Sequence, residues 1–464
     1  RTLDCEFAAS AHDKKNIFTL QFHPEVSHTQ YWIKILENFS DICLVKKEWS
    51  MEKFLEFELE DLKNKIADKN VFLFISWWVD STVAYFLLNK AIWAERIYPV
   101  FVDTGFMRKD ESKRVESLLN KAWVKNLQII DAKKDFLEDL KWVVEPEIKR
   151  NIIGNKFIEI QSKIISKLWI NTKNWLLAQW TIYPDTIESW GTKNSKTIKT
   201  HHNRVPEIQL MIEKWLIIEP LEKLYKDEVR KIWILLGISD ELIYRHPFPW
   251  PWLSLRILCN DNYVDIFKTD SWDNLNYELE KKNIQKLVWD KFRVNILPVK
   301  SVWVQWDNRS YKHPVSLSIL DKNIDWEELN NISTNITNNF NLVNRVLLNL
   351  WDNWDKLKLQ KWFLTNDRIE LLQEIDYIVE KFLNDKWYMR KIWQFPVVLI
   401  PLWNWDKESI VLRPIDSIEA MTASFSKIVI TDLDYLVKKI LQNKKIETVF
   451  YDLTWKPPWT IEWE

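Results

Sequence analysis

The sequence predicts an α/β fold, a doubly wound parallel sheet followed by a duplicated α+β region, on three observations. Beyond Asn70, short apolar runs alternate with longer amphipathic ones, the pattern of strands covered on both faces by helices. The first of these runs leads at once into Ser76-Trp-Trp-Val-Asp-Ser81 and a helical stretch, a strand–loop–helix unit. Further along, the segments that begin at Pro298 and Pro396 repeat one strand–turn–strand pattern.

In chain order, residues 1–46 carry a β-like run over 16–22, then His23-Pro24-Glu25 and a helical pattern through Phe39. So short a piece holds no core of its own and reads as the tail of a domain. Residues 51–67 form an amphipathic helical linker with charges of both signs. Strands are predicted over 71–75, 97–102, 127–131 and 175–179, with helices over 81–89, 111–121 and 145–168 between them. This section closes near Arg256, after the proline-rich corner His246-Pro-Phe-Pro-Trp-Pro251. The two later hairpin patterns each meet a Trp-Asp turn and lead into a helical stretch, giving two α+β units. The expected domains are therefore 1–46, 51–256 and 257–464.

Basic residues number 65 and acidic residues 66, and the net charge of −1 excludes the electrostatic footprint of generic nucleic-acid or membrane-surface binding. Cys5, Cys43 and Cys259 lie too far apart for a zinc site or a disulfide framework, so the compartment reads as reducing cytoplasm. No apolar run reaches the roughly 18 residues of a membrane span. The sequence opens in mid-pattern without a secretion signal and reads as a piece whose upstream part is missing.

Glycine occurs 4 times and tryptophan 30 times, where ordinary usage predicts about 32 glycines in such a chain. Glycine is needed wherever φ is positive or the backbone approaches a ligand closely. Tryptophan stands in those settings here: Trp306-Asp307-Asn308, Trp403-Asn404-Trp405-Asp406, Pro249-Trp250-Pro251-Trp252 and the doubled Trp77-Trp78. The pattern predicts that most of these tryptophans are glycines in the living protein, misread from UGA codons that the source assigns to glycine. The alternative is a genuinely tryptophan-rich protein. Trp49 and Trp463 sit where a large aromatic is ordinary.

With glycine at 77 and 78 the first loop becomes Ser-Gly-Gly-Val-Asp-Ser. Backbone N–H groups through Val79 and the helix N-terminus then face an anion, with the Ser76 and Ser81 hydroxyls as further donors. Pyrophosphate suits that geometry, and Asp80 is placed to hold the Mg²⁺ that bridges phosphates. The bland alternative is a serine-capped helix with no ligand. Val102 and Gly105 fall at the carboxyl end of the next strand, where a doubly wound sheet receives nucleotides, and should line an adenosine pocket.

The loop resembles that of the ATP pyrophosphatases, which cleave ATP between its α and β phosphates on an adenine nucleotide alpha-hydrolase-like sheet. Phe101-Val-Asp-Thr-Gly-Phe-Met-Arg-Lys-Asp-Glu111, Ala178-Gln-Trp-Thr-Ile-Tyr-Pro-Asp185, Ile198-Lys-Thr-His-His202, Lys226-Asp-Glu-Val-Arg230 and the terminal Lys456-Pro-Pro-Trp-Thr-Ile-Glu-Trp-Glu464 resemble the GMP synthetase family, in order from Gln21 to the last residue. That resemblance implies a glutamine-hydrolysing carbon–nitrogen ligase making GMP from xanthosine monophosphate (XMP). ATP adenylates the C2 oxygen of the base, ammonia attacks that carbon and AMP leaves.

By the same resemblance Lys199 matches a mobile lid lysine, with a solvated loop lysine as the alternative. Arg256, Lys456 and Glu462 match positions near XMP, whose phosphate suits cations and whose base N–H suits a carboxylate; otherwise the last two belong to a frayed tail. Gln21-Phe-His-Pro-Glu25 is similar to the histidine-bearing end of a class I glutamine amidotransferase, with His23 as the base that activates a cysteine thiolate and Glu25 as its orienter. Cys5 matches no nucleophile position, so the printed piece should use ammonia and not glutamine. An insertion between about Asp321 and Lys391 departs from the shorter bacterial form and weakens the expectation of a homodimer through the usual surface. The rival readings are another pyrophosphate-loop ligase, such as a tRNA thiolase or NAD synthetase, and a non-catalytic nucleotide-binding relative if the loop tryptophans are real.

Overall fold

A computed structural model describes residues 5–25, 29–46, 48–76, 79–121, 124, 126–167, 174–185, 217–238, 252–261, 272–305, 308–320, 325–350, 358–403, 407–417, 423–455 and 461–464. Two compact units divide between Phe57 and Glu58. In the smaller, β1 (Ala9–His12) pairs antiparallel with β2 (Ile17–Leu20), and α1 (Trp32–Ile42) follows. Both strands are exposed along their length and α1 buries no residue. The helix α2 (Met51–Ile66) runs across the division.

In the larger unit β3 (Asn70–Phe74), β4 (Ile97–Asp103), β5 (Gln128–Asp131), β6 (Trp175–Ala178) and β7 (Ile217–Ile218) form a sheet of order β5-β4-β3-β6-β7, parallel throughout. Consecutive residues Val71, Phe72 and Leu73, and Val100, Phe101 and Val102, are all buried. That is why these strands read as unbroken apolar runs: the sheet is covered on both faces. The chain lays β4 and β5 to one side of β3 and then crosses to β6 and β7 on the other, so the winding reverses between β3 and β6. Ligands of open α/β sheets bind at such a reversal, beyond the carboxyl ends of the strands.

Among the described residues the helices of this section are α3 (Val79–Ile92), α4 (Glu111–Lys121), α5 (Lys133–Leu140), α6 (Pro146–Lys167) and α7 (Lys226–Leu235). The sequence pattern gives α6 to within a residue of each end and does not give α5. Pro146 takes the first helical position of α6, where its missing N–H has no acceptor to lose, so a new helix starts there.

The second sheet contains β8 (Phe292–Ile296), β9 (Ser301–Gln305), β10 (Asn308–Ile319), β11 (Val343–Asn349), β12 (Val397–Ile400), β13 (Glu408–Leu412) and β14 (Ile446–Asp452). Its order is β12-β13-β14-β11-β10-β8, with β9 on β10. The helices here are α8 (Trp272–Val288), α9 (Trp326–Asn339), α10 (Asn366–Asp385) and α11 (Ile430–Ile440). An antiparallel β8/β10 pair leads through α9 to the parallel β11, and an antiparallel β12/β13 pair leads through α11 to the parallel β14. The hairpin pattern beginning at Pro298 folds as β9 and β10 and the one beginning at Pro396 as β12 and β13, while β8 precedes the first pattern and lies outside it; the two α+β units meet where β11 and β14 pair antiparallel.

Among the described non-glycine residues with positive φ are three tryptophans: Trp93 (70°), Trp289 (56°) and Trp387 (60°). These residues are 77%, 77% and 81% exposed, so burial does little to compensate the strained backbone. Trp387 follows the C-cap of α10, with its N–H on Asn384 O (3.3 Å) and Tyr388 N–H on Leu383 O (2.9 Å). That is the Schellman motif, whose left-handed position belongs to glycine. Gly237 (φ 71°) fills the same position after α7, with its N–H on Ile234 O and Ile238 N–H on Trp233 O. Trp93 combines φ 70° with ψ 147°, beside a region essentially reserved for glycine.

Candidate functional site

At the carboxyl end of β3, Ile75 N–H still bonds to Val100 O (2.8 Å), and then the chain turns into α3. Ser76 donates to Ser81 Oγ from both its backbone N–H and its hydroxyl, each at 3.2 Å, which closes the loop across its base. Trp77 and Trp78 lie outside the described residues. Val79 opens α3 and Asp80 occupies its first turn, so the loop delivers whatever it holds to a helix N-terminus.

Asp80 is buried, its Oδ2 ion-paired with the Nζ of Lys226 at the start of α7, and its Oδ1 is buried with no hydrogen-bond partner among the described residues. An unpartnered carboxylate oxygen at a helix N-terminus costs free energy unless a ligand satisfies it. A hard cation does so, and Mg²⁺ takes few protein carboxylates when phosphates supply its other oxygens. The donor chemistry therefore fits Mg²⁺. Lys226 is a site residue that sequence reasoning passed over, because only the folded sheet brings α7 against α3.

Along the same edge, Asp103 Oδ1 accepts from Gly105 N–H (3.0 Å), and its Oδ2 meets Lys133 Nζ (3.1 Å) and the Ser112 hydroxyl. Gly105 has φ 79°, and a Cβ there would lie 3.2 Å from the Lys133 side chain. Only glycine closes this turn without strain. The Val102 side chain is buried within the sheet, so it shapes this edge from beneath. Across the reversal, the Thr181 hydroxyl donates to Glu219, whose carboxyl is pushed up by burial, and Gln179 Oε1 is buried with no partner among the described residues. Gln179 and Thr181 belong to the Ala178–Asp185 motif that carries the family resemblance, but sequence reasoning assigned a role to none of these three residues.

Away from this edge, Arg256 and Glu462 come together as a fork, Nε to Oε2 at 3.1 Å and Nη2 to Oε1 at 2.8 Å. The Arg256 side chain is 1% exposed against 23% for Glu462. The guanidinium therefore aims the carboxylate, and the carboxylate is the member that can reach a ligand. Residues 461–464 are packed, with Trp463 fully buried and its Nε1 donating to Asp452 Oδ2 (2.9 Å), so this part of the tail is not frayed.

In the smaller unit His23 Nδ1 lies 2.8 Å from Glu25 Oε1, and both side chains are exposed. Backbone hydrogen bonding and the histidine hold the Glu25 carboxyl below the usual range. Thr29 Oγ1 donates to His23 O (2.6 Å) and fixes the turn. Lys199, His201, His202 and Lys456 lie outside the described residues.

A probable glutamine-hydrolysing GMP synthase of Leptospira interrogans serovar copenhageni is 41% identical over 475 residues, spanning 99% of this chain and 75% of that protein. The chain belongs to the GMP synthase family. A glutamine-hydrolysing GMP synthase of Helicobacter pylori is 41% identical over 359 residues, 73% of this chain and 68% of that one. The GMP synthase C terminal domain matches residues 277–353 and 381–463, and class-I glutamine amidotransferase matches 1–43, a stretch that includes His23 and Glu25. Among solved structures, an NH3-dependent NAD synthetase of Campylobacter jejuni overlaps 42% of this chain and 77% of its own at TM-score 0.32 and 14% identity. This chain's membership of the GMP synthase family makes it a carbon–nitrogen ligase with glutamine as amido donor. None of its described helices is long and apolar enough to cross a membrane.

Proposed function

We propose that the chain aminates XMP to GMP in the cytoplasm, and that the edge between β3 and β6 holds the ATP. The observation that carries this reading is the buried Oδ1 of Asp80 at the N-terminus of α3, which has no partner among the described residues. The C2 oxygen of XMP attacks the α-phosphate of ATP, pyrophosphate departs, ammonia adds to C2, and AMP leaves with that oxygen. Asp80 would hold Mg²⁺, which when bound would supply positive charge to offset that on the departing pyrophosphate. The N–H groups opening α3 and the Ser76 and Ser81 hydroxyls receive its oxygens.

Lys199 closes over the phosphates, Val102 and Gly105 border the adenosine, and Glu462, aimed by Arg256, accepts from the base N–H of XMP while Lys456 meets its phosphate. His23, oriented by Glu25, activates a cysteine thiolate that releases ammonia from glutamine. A homodimer fits the duplicated second sheet less well than it fits a single unit.

This chemistry requires bare backbone at 77 and 78, since two indoles would fill the anion site. The strained and exposed Trp93, Trp289 and Trp387 support glycine as the natural residue at such positions, whereas the buried, hydrogen-bonded Trp463 supports a true tryptophan. The intact mass of the natively made protein should fall well below that of the printed sequence; equality with it would overturn the recoding. That protein, or one carrying Trp77→Gly and Trp78→Gly with the turn tryptophans likewise replaced, should release pyrophosphate from ATP only when XMP and ammonia are present. Release without XMP would overturn the assignment of substrate.

A further inference from the structure

Lys149, in the first turn of α6, is fully buried although its ammonium has no place in the chemistry above. Its Nζ lies 2.7 Å from Glu464 Oε2, 3.1 Å from Ile257 O and 3.4 Å from Ser254 O. An ammonium has three protons, and three acceptors surround this one. The two carbonyls flank Arg256 in sequence, and Glu464 lies two residues from Glu462. One cation thus ties together the two segments that carry the Arg256–Glu462 fork.

The rest of the terminal segment is held in the same way. Ile461 O accepts from Arg413 Nε (2.8 Å), Glu462 O from Arg345 Nη2 (2.8 Å), Trp463 O from Val302 N–H (2.8 Å), and Glu464 O from the Arg150 guanidinium. Arg345 and Arg413 share the buried carboxylate of Asp452, and Arg150 neighbours Lys149 on α6. Residues 461–464 therefore form a strap between α6, which belongs to the nucleotide sheet, and the second sheet. Within it Glu462 is the partly exposed carboxylate.

We infer that Lys149 is a positioning residue for the acceptor nucleotide: by clamping both segments it holds Glu462, through Arg256, at the angle that meets the base of XMP. The inference rests on the reading of Glu462 given above. It assigns a specificity role to a residue of α6 that touches no substrate, and it links the sheet that binds ATP to the pocket that binds XMP.

The test uses the full chain with glycine at the recoded positions, and reads KM for XMP and for ATP separately, with XMP binding measured by calorimetry. Lys149→Met leaves the Glu464 carboxylate buried and unpaired, and it should raise KM for XMP about tenfold or more while KM for ATP stays within about twofold. Lys149→Met combined with Glu464→Met removes both charges, so the strap can pack again, and KM for XMP should return to within about threefold of the parent. A KM for XMP that does not move in the single variant would overturn the inference, and so would equal rises for both substrates or a failure of the double variant to recover. If the single variant does not fold, the double variant decides alone: a parent-like KM supports the clamp, and a raised one sinks it. If the parent itself binds no XMP, the reading of the site fails, a result distinct from any of these.

Discussion

The loop after β3 and the strap 461–464 treat their polar groups in opposite ways. In the strap each of four successive carbonyls has a donor, three of them arginines, and the buried Asp452 carboxylate joins two of those arginines to the Trp463 ring nitrogen. Where the loop enters α3, the buried Asp80 carboxylate keeps one oxygen with no partner among the described residues. A polar network satisfied within the protein fixes a geometry before ligand arrives. A group left unsatisfied inside the fold destabilises it until a ligand supplies what is missing. The first arrangement suits recognition of a base by shape and direction, and the second suits a charged, transient guest.

Substitutions that exchange these behaviours test the contrast. Asp80→Asn should lower kcat/KM by about 10³-fold or more, measured as pyrophosphate release, because the cation-binding charge is gone. Its urea midpoint should stay at or above that of the parent; a large loss of stability instead would make Asp80 part of a network like that of the strap.

Asp452→Asn should do the reverse, costing about 3–5 kcal/mol in denaturant unfolding because two arginines are left buried beside a neutral amide. Burial alone would raise the Asp452 carboxyl, but Arg413 and Arg345 hold it below its usual value of 3.8. A depressed folded pKa gives stability that is present above the unfolded value and is lost as the pH falls through the folded one. The parent should therefore lose stability on acidification below about pH 4, with the Asp452→Asn difference shrinking over that range. A difference that stays constant in unfolding curves at several pH values would show that the carboxylate is not the group involved.

A smaller effect is expected of Lys226→Met, in which the partly exposed partner of Asp80 is lost. KM for ATP should rise about tenfold with stability changed by about 1 kcal/mol or less. An unchanged KM would reduce that lysine to a counter-ion. On ammonia-dependent synthesis the smallest effect is that of His23→Ala, which should leave it within about twofold of the parent while abolishing glutamine-dependent synthesis in a preparation that shows it. Parallel loss of both routes would contradict the division of labour between the two units.

Much of the fold was legible because its signals are local. Continuous apolar runs identified β3, β4, β5 and β6 to within a residue or two, and the repeated hairpin pattern identified β9 with β10 and β12 with β13, but not β8. The candidate site was legible where residues are adjacent in sequence, as in Ser76 to Ser81 and His23 to Glu25. It was not legible where partners are remote. Nothing near Lys226 points to Asp80, nothing in α6 points to Glu464, and Arg256 and Glu462 were expected to serve different parts of XMP whereas they form one fork.

By itself the sequence determined the strand–loop–helix, the duplication, and the shortage of glycine on which the expected recoding rests. Those features follow from spacing, periodicity and the unique backbone freedom of one residue type. Which side chains neutralise one another, which oxygen stays unsatisfied and which carboxylate faces outward were decided only in the tertiary structure. Such pairings depend on distances between segments remote in sequence and on burial, the removal of water that turns a weak attraction between charges into a geometric constraint.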